Sequence, residues 1–243
     1  MSRITRRVAL VTTIALVLAV PVFLISSNVR WAANSLRMYG FLFDRHQVAQ
    51  GTGISRDELL RGSRQIVDYF NSDQEPLRVV VQLAGAEREL FGPREVQHMA
   101  DVKGLFRGVY RVQEASGALL VAGTALLLAI HRRRGLKVVG KLAAMGGALT
   151  VALVVVVGLG SLVSFGPLFY LFHIVSFSND LWQLERTDYL LRLFPQGFWQ
   201  DATLLIGAAT LVEALALIAV AYGGLRWVRR ATHRRRVAQR ATG

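Results

Sequence analysis

Polar positions thin out in four long stretches of the chain. The first is VALVTTIALVLAVPVFLIS, residues 8–26, and the others fall at about 112–131, 138–163 and 203–228. Each reaches the roughly 18 apolar residues needed to cross a hydrocarbon core ~30 Å thick as a helix. The pattern therefore predicts four membrane spans. Between the first two spans the pattern changes. Ser55 and Glu58 form a capping-box spacing, and Leu59, Leu60, Ile66, Val67 and Phe70 recur at helical intervals, which predicts an amphipathic helix over 56–70. LRVVVQL, residues 77–83, is rich in β-branched side chains and reads as a strand, with residues 88–90 pairing back across a turn at Gly85. Gly92-Pro93 opens a further helix, because Pro is tolerated where its missing N–H has no partner to lose. This helix runs through Gly104 and Gly108 towards the second span. After the third span, Gly166-Pro167 interrupts the pattern, and the eleven mostly apolar residues that follow are too few to cross again. Trp182, Tyr189, Phe198 and Trp199 suit an aromatic belt, and Asp201 suits the N-cap of the fourth span.

The fold class expected is an all-α membrane protein, with four transmembrane helices and a small extracytoplasmic α/β cap. Its parts are a first helix (1–26), the cap (27–108), a second helix (109–131), a basic loop (132–137), a third helix (138–163), an outer interfacial segment (164–202), a fourth helix (203–228) and a basic tail (229–243). The basic start SRITRR resembles a secretion signal, but the apolar run is longer than a signal's and no small-residue cleavage site follows, so an uncleaved anchor is expected. Composition agrees: 53% of the 243 residues are hydrophobic.

Charge adds an orientation. Residues 1–7 carry three Arg, the loop after the second span carries Arg132, Arg133, Arg134, Lys137 and Lys141, and the tail from Arg226 carries seven Arg. None of these segments holds an acidic residue, whereas residues 27–108 mix eleven basic with ten acidic side chains. The positive-inside rule puts both termini and the middle loop on the cytoplasmic side, and residues 27–108 and 164–202 on the outer side. The net charge of +13 is then explained by topology and contact with anionic membrane lipids, and no nucleic-acid partner is expected. There is no Cys, hence no disulfide and no thiol chemistry.

Soluble-enzyme motifs such as HExxH, GxSxG and a Walker loop are missing. What remains is a pair of His residues from the two outward segments. His98 shares a helix face with Asp101, a carboxylate suited to orienting an imidazole for general-base work; the alternative is an incidental surface pair. His173 lies inside LFYLFHIVSF, where an ionisable side chain points to function or snorkels to the interface. Lys103 points elsewhere on its helix. Asn179, Asp180 and Asp188 read either as partners of His173 and a substrate or as turn and cap residues. Metal binding by His98, Asp101 and His173 is possible, but their spacing is not diagnostic. Glu114, at the outer start of the second span, either lines a substrate cleft or ends the helix in water, and Glu213, near the middle of the fourth, is read as a structural or helix-contact residue with no chemistry.

GPREVQHMADVKGLF and FHIVSFSNDLWQLERTDYLLRLFP resemble the two signature stretches of the lipoprotein intramolecular transacylases, and ISRDELLRGSRQIVDYF resembles that family's cap helix. One position departs: Glu185 stands where the family pattern has Pro. The resemblance implies an acyltransferase of bacterial lipoproteins. Such an enzyme moves the sn-2 acyl chain of the S-diacylglyceryl cysteine to its α-amine, giving the lyso form, with no cofactor. It implies His98 and His173 as catalytic groups, with Asp101, Lys103, Asn179, Asp180, Trp182 and Asp188 as supporting or substrate-binding residues. The expected partners are the lipoprotein and membrane lipids, with the enzyme a monomer. The rival readings are a metal-dependent membrane hydrolase and a non-catalytic scaffold whose cap binds a partner.

Overall fold

The computed structural model describes residues 3–241, leaving aside the side chains of residue 133 and of residues 227–241. The lipid contact expected of the tail at 229–243 lies outside the described side chains. The chain is mostly helical. It opens with α1 (Arg3–Asn34), α2 (Leu36–Arg45), α3 (Val48–Thr52) and α4 (Arg56–Phe70). A hairpin of β1 (Val80–Leu83) and β2 (Ala86–Glu89) follows, and then α5 (Pro93–His131). A 3-10 turn leads into α6 (Gly135–Val163), followed by α7 (Phe165–Ser176), α8 (Tyr189–Leu193) and α9 (Gln196–Ala241). Four of the helices are long and apolar enough to cross a membrane: α1, α5, α6 and α9 as far as Arg226.

Contacts divide the chain into two compact units. Of the described residues, one comprises 3–27, 112–156 and 207–241, which hold most of the apolar length of the four long helices. Small residues let these helices approach one another. A Cβ on Gly123 would lie 2.8 Å from Leu16, one on Gly146 2.7 Å from Val20, and one on Gly147 2.7 Å from Ile218. Thus α1 meets both α5 and α6 at glycines, and α6 meets α9 through the next glycine along, the packing style of helices that gain nothing from burying side chains away from lipid. The outward faces carry Val121, Val156, Val212 and Val220, each about two-thirds exposed or more. An apolar surface of this extent has lipid as its natural solvent.

The other unit comprises residues 28–111 and 157–206. Its elements follow local chemistry closely. Ser35 caps α2 by accepting from the Met38 N–H, and Ser55 caps α4 by accepting from the Glu58 N–H. Glu58 does not complete the capping box. Its carboxylate accepts from the Gln82 N–H at 2.6 Å instead, so it ties α4 to β1. The hairpin pairs Val80 with Glu89 and Leu83 with Ala86. Its two-residue turn, Ala84-Gly85, has φ of 52° and 81°, the doubly positive geometry that matches strand twist. The core gathers Leu42, Phe43, Ile54, Leu59, Ile66, Tyr69, Val79 and Val81 with Leu193 and Phe198. Phe198 therefore packs inward, not in an aromatic belt.

One local expectation holds, the helix running from Pro93 through Gly104 and Gly108 into the second span, and two are revised. Helix α5 is one uninterrupted element of 39 residues, about 58 Å long and close to twice the ~30 Å hydrocarbon core, so its polar first half, 93–111, lies outside the span. The break after α6 falls at Ser164, which is extended; Gly166-Pro167 instead sits in the first turn of α7, where Pro costs no hydrogen bond. Helix α9 starts at Gln196, so Asp201 is not its N-cap; its carboxylate pairs with Arg45 and, at 2.9 Å, with His46.

Candidate functional site

His98 projects from the polar half of α5, and His173 from α7. The rings lie 6.2 Å apart between centroids, and both residues are buried, 6% and 8% exposed. Phe177, which ends α7, packs against both rings at 5.1 and 5.6 Å. Phe169 stacks on His173 at 4.3 Å, one turn back on the same helix, and Trp182 covers it at 5.0 Å. The pair is thus walled by aromatic rings, and neither ring has a charged hydrogen-bond or ion-pair partner among the described residues.

This wall sets the protonation states. Burial disfavours imidazolium and holds His98 down to about 4; proximity to His173 adds to the fall and Asp101 opposes it. Burial likewise lowers His173, against the pull of the Phe169 carbonyl. Near neutral pH both rings are uncharged. His173 Nδ1 lies 2.7 Å from the Phe169 carbonyl oxygen, which only accepts, so Nδ1 carries the hydrogen and Nε2 keeps its lone pair. His98 Nδ1 is buried and has no hydrogen-bond partner among the described residues.

A cleft of about 260 Å³ is lined by Ala100, Asp101, Gly104 and Leu105 of α5 and by residues 176–179; neither His lines it, and its link to the pair is Phe177, which packs on both rings. Asp101 does not hydrogen-bond His98. It accepts from Asn179 at 2.9 Å, and Asn179 in turn accepts from the Leu181 N–H, so the two fix the loop after α7 against α5. Trp182 meets the site directly. Asp180 is a turn residue, accepting at its backbone oxygen from Arg94 at 2.6 Å and at its carboxylate from Gln183. Asp188 is the N-cap residue of α8, and its carboxylate accepts from the Glu185 N–H at 2.8 Å. Glu185 thereby supplies a donor that a Pro there would lack. Lys103 is not brought to the pair. Five residues from His98, it points about 140° away round the helix. It is 3% exposed, salt-bridged to Glu75 at 3.0 Å and seated over the Tyr69 ring. Among the described residues no three His, Asp or Glu converge as a metal-ligand set.

The pattern passed over Glu95. It is 4% exposed, and its two oxygens accept from the N–H groups of Gly92 and Leu190, each at 2.6 Å. Burial raises its carboxyl above the usual range against those two hydrogen bonds, and Asp188 adds to the rise. Glu95 therefore joins the start of the His98 helix to the start of α8. Its spacing from Gly92 is that of a helix N3 carboxylate reaching back to the N-cap, a signal present in GPRE.

Four membrane-length helices and a polar unit that pairs two buried imidazoles among aromatic rings define a polytopic membrane protein. The family described as lipoprotein intramolecular transacylase Lit matches residues 14–199, and the chain belongs to it. The solved structure of the membrane integral lipoprotein intramolecular transacylase Lit from Bacillus cereus shares the fold. Its TM-score is 0.70 at 19% identity, covering 96% of this chain and 99% of that one. A form of the same protein with a histidine-to-arginine mutation matches with a TM-score of 0.71 at 18% identity, covering 92% and 94%. An uncharacterized protein of Aquifex aeolicus (strain VF5) is 25% identical over 131 residues, 54% of this chain. The match spans a little over half the length of that relative, 56%.

Proposed function

We propose that this chain is an intramolecular acyltransferase of bacterial lipoproteins, moving the sn-2 acyl chain of the S-diacylglyceryl cysteine to its α-amino group. The observation that carries the reading is the paired, uncharged His98 and His173 beside an open cleft, in a chain of the transacylase family. In this reading the polar unit is an extracytoplasmic cap, both termini are cytoplasmic, and a monomer works without a cofactor in the bacterial cell membrane.

The chemistry follows from the groups present. A neutral imidazole nitrogen, His173 Nε2 or its counterpart on His98, takes a proton from the substrate ammonium. The free amine attacks the sn-2 ester carbonyl, forming the N–C bond and an oxyanion. The nitrogen then passes its second proton to the other imidazole, the bond from carbonyl carbon to sn-2 oxygen breaks, and the departing oxygen takes that proton from it, while the first imidazole releases its own to solvent. Ammonium and ester become amide, alcohol and one released proton. Asp101 binds the ammonium before transfer: it lines the cleft, and its bond to Asn179 uses only one carboxylate oxygen. Asn179, Asp180 and Asp188 hold the loop, and Trp182 packs the His173 ring and the lipid beside it. Lys103 positions α5 through Glu75. Nucleophile and ester belong to one molecule, so the protein contributes chiefly orientation.

The test is mass spectrometry of a reporter lipoprotein in a host that makes only the diacylglyceryl form. The chain is expected to yield an N-acylated, S-monoacylglyceryl terminus, lost in His98→Ala and in His173→Ala. Unaltered diacylglyceryl product with a well-expressed chain favours the scaffold reading, and chelator-sensitive loss of an acyl chain favours the metal-dependent hydrolase.

A further inference from the structure

A second concavity, of about 250 Å³, lies between α2 and α4, lined by Leu36, Arg37, Gly40, Arg56, Leu60 and Arg64. Positions 56, 60 and 64 recur every four residues, so α4 presents one stripe in which a leucine separates two guanidinium groups. Arg37 faces this stripe from α2. Gly40 forms the floor: a Cβ there would lie 3.2 Å from Arg56 Nη2 and 3.4 Å from Leu60. Of the three cations only Arg56 is compensated, its Nε donating to both oxygens of Asp44 at 2.9 and 3.1 Å. Neither Arg37 nor Arg64 makes a hydrogen bond or ion pair with any described residue. Two like charges thus share one groove without a counter-ion. Trp31 and Phe41 stand 56% and 52% exposed on the same stretch of chain, and Phe41 is one turn from Arg37. Exposed aromatic rings beside arginines, at the end of α1 and in the helix that follows it, suit a segment lying at the membrane interface.

We propose that this groove binds the headgroup of an anionic phospholipid of the surrounding membrane. Arg37 and Arg64 hold the phosphate through paired N–H donors, and Leu36 and Leu60 pack on the glycerol and first acyl carbons. Charge complementarity selects the occupant: the groove carries two spare positive charges, and an anionic lipid supplies net negative charge next to hydrocarbon, as a zwitterionic lipid does not. This inference does not depend on the acyl-transfer reading.

Native mass spectrometry of the full chain in detergent, titrated with phosphatidylglycerol or with phosphatidylcholine, tests it. Parent chain is expected to retain phosphatidylglycerol in preference. Arg37→Gln/Arg64→Gln is expected to weaken that retention on the order of tenfold or more, from the loss of two cations at the lipid phosphate. Arg37→Lys/Arg64→Lys keeps the charge but loses the paired donors and is expected to restore only part of it, and Arg78→Gln/Arg88→Gln, the same charge change beside and on the hairpin, to leave it unaltered. Gly40→Leu fills the groove without changing charge and is expected to weaken retention as well. Thermal unfolding of each variant separates loss of site from loss of fold. Equal retention of the two lipids by the parent, or retention unmoved by Arg37→Gln/Arg64→Gln in a folded chain, overturns the proposal. So does displacement of the lipid by millimolar inorganic phosphate alone, which would assign the groove to a soluble anion.

Discussion

Glu95 and the two histidines show what a single side chain reveals before and after folding. His173 was legible in the sequence because a titratable group inside an apolar run stands out, and His98 because it shares a helix face with Asp101. Their separation was not, because α5 and α7 meet only in three dimensions. Glu95 was hidden in an ordinary helix-start pattern; its bond to Leu190, 95 positions away, leaves no local trace. Glu95→Gln puts an amide NH₂ against one of two backbone donors. It is expected to destabilise the fold by about 2 kcal/mol, the cost of an unsatisfied buried donor, read as a lowered Tm in detergent. An unchanged Tm would show that the two bonds do not hold the site together. The protonation states lead to a second expectation. A base titrates into its inactive form as pH falls through its own pKa, and both rings are held below the 6.5 of a free imidazole. The acid limb of kcat/KM is therefore expected below pH 6.5, towards about 4 if His98 is the base. A half-loss at or above pH 6.5 would contradict a buried imidazole base.

At the scale of elements, periodicity found the helix Arg56–Phe70 and the paired strands about Gly85, because capping side chains and β-branched runs act locally. Boundaries set by tertiary contact were misplaced. Asp201 has the composition of a cap, yet it lies inside α9 because Arg45 and His46 claim its carboxylate. Lys103 reads as a candidate for the site, yet it lies in a separate buried cluster with Glu75 and Tyr69. Helix contacts within the apolar unit depend on glycines whose importance composition does not show. Gly146→Val drives side-chain carbon into Val20 and is expected to lower stability by about 1–3 kcal/mol. Gly158→Val, in the same helix with nothing within 4 Å of its added Cβ, is expected to be nearly neutral. Equal thermal shifts for the two would mean that α1 and α6 do not pack through Gly146.

At the scale of the whole molecule, four spans were legible because lipid demands long apolar helices, and the distribution of Arg and Lys gave an orientation to test. The absence of Cys makes the test clean. In sealed vesicles or whole cells, Arg88→Cys is expected to react with a membrane-impermeant maleimide from outside, and Arg134→Cys only after permeabilisation. The reverse pattern would place the His98–His173 pair on the wrong face for a lipoprotein terminus. The central claim concerns where one acyl chain goes. The most direct measurement gives the purified chain a diacylglyceryl lipopeptide deuterated only in its sn-2 acyl group and follows the label by tandem mass spectrometry. The account predicts all of the label on the α-amine, a free hydroxyl at sn-2, and no transfer by His98→Ala or His173→Ala. Label released as free fatty acid, or left on the glycerol by a folded parent chain, would contradict it.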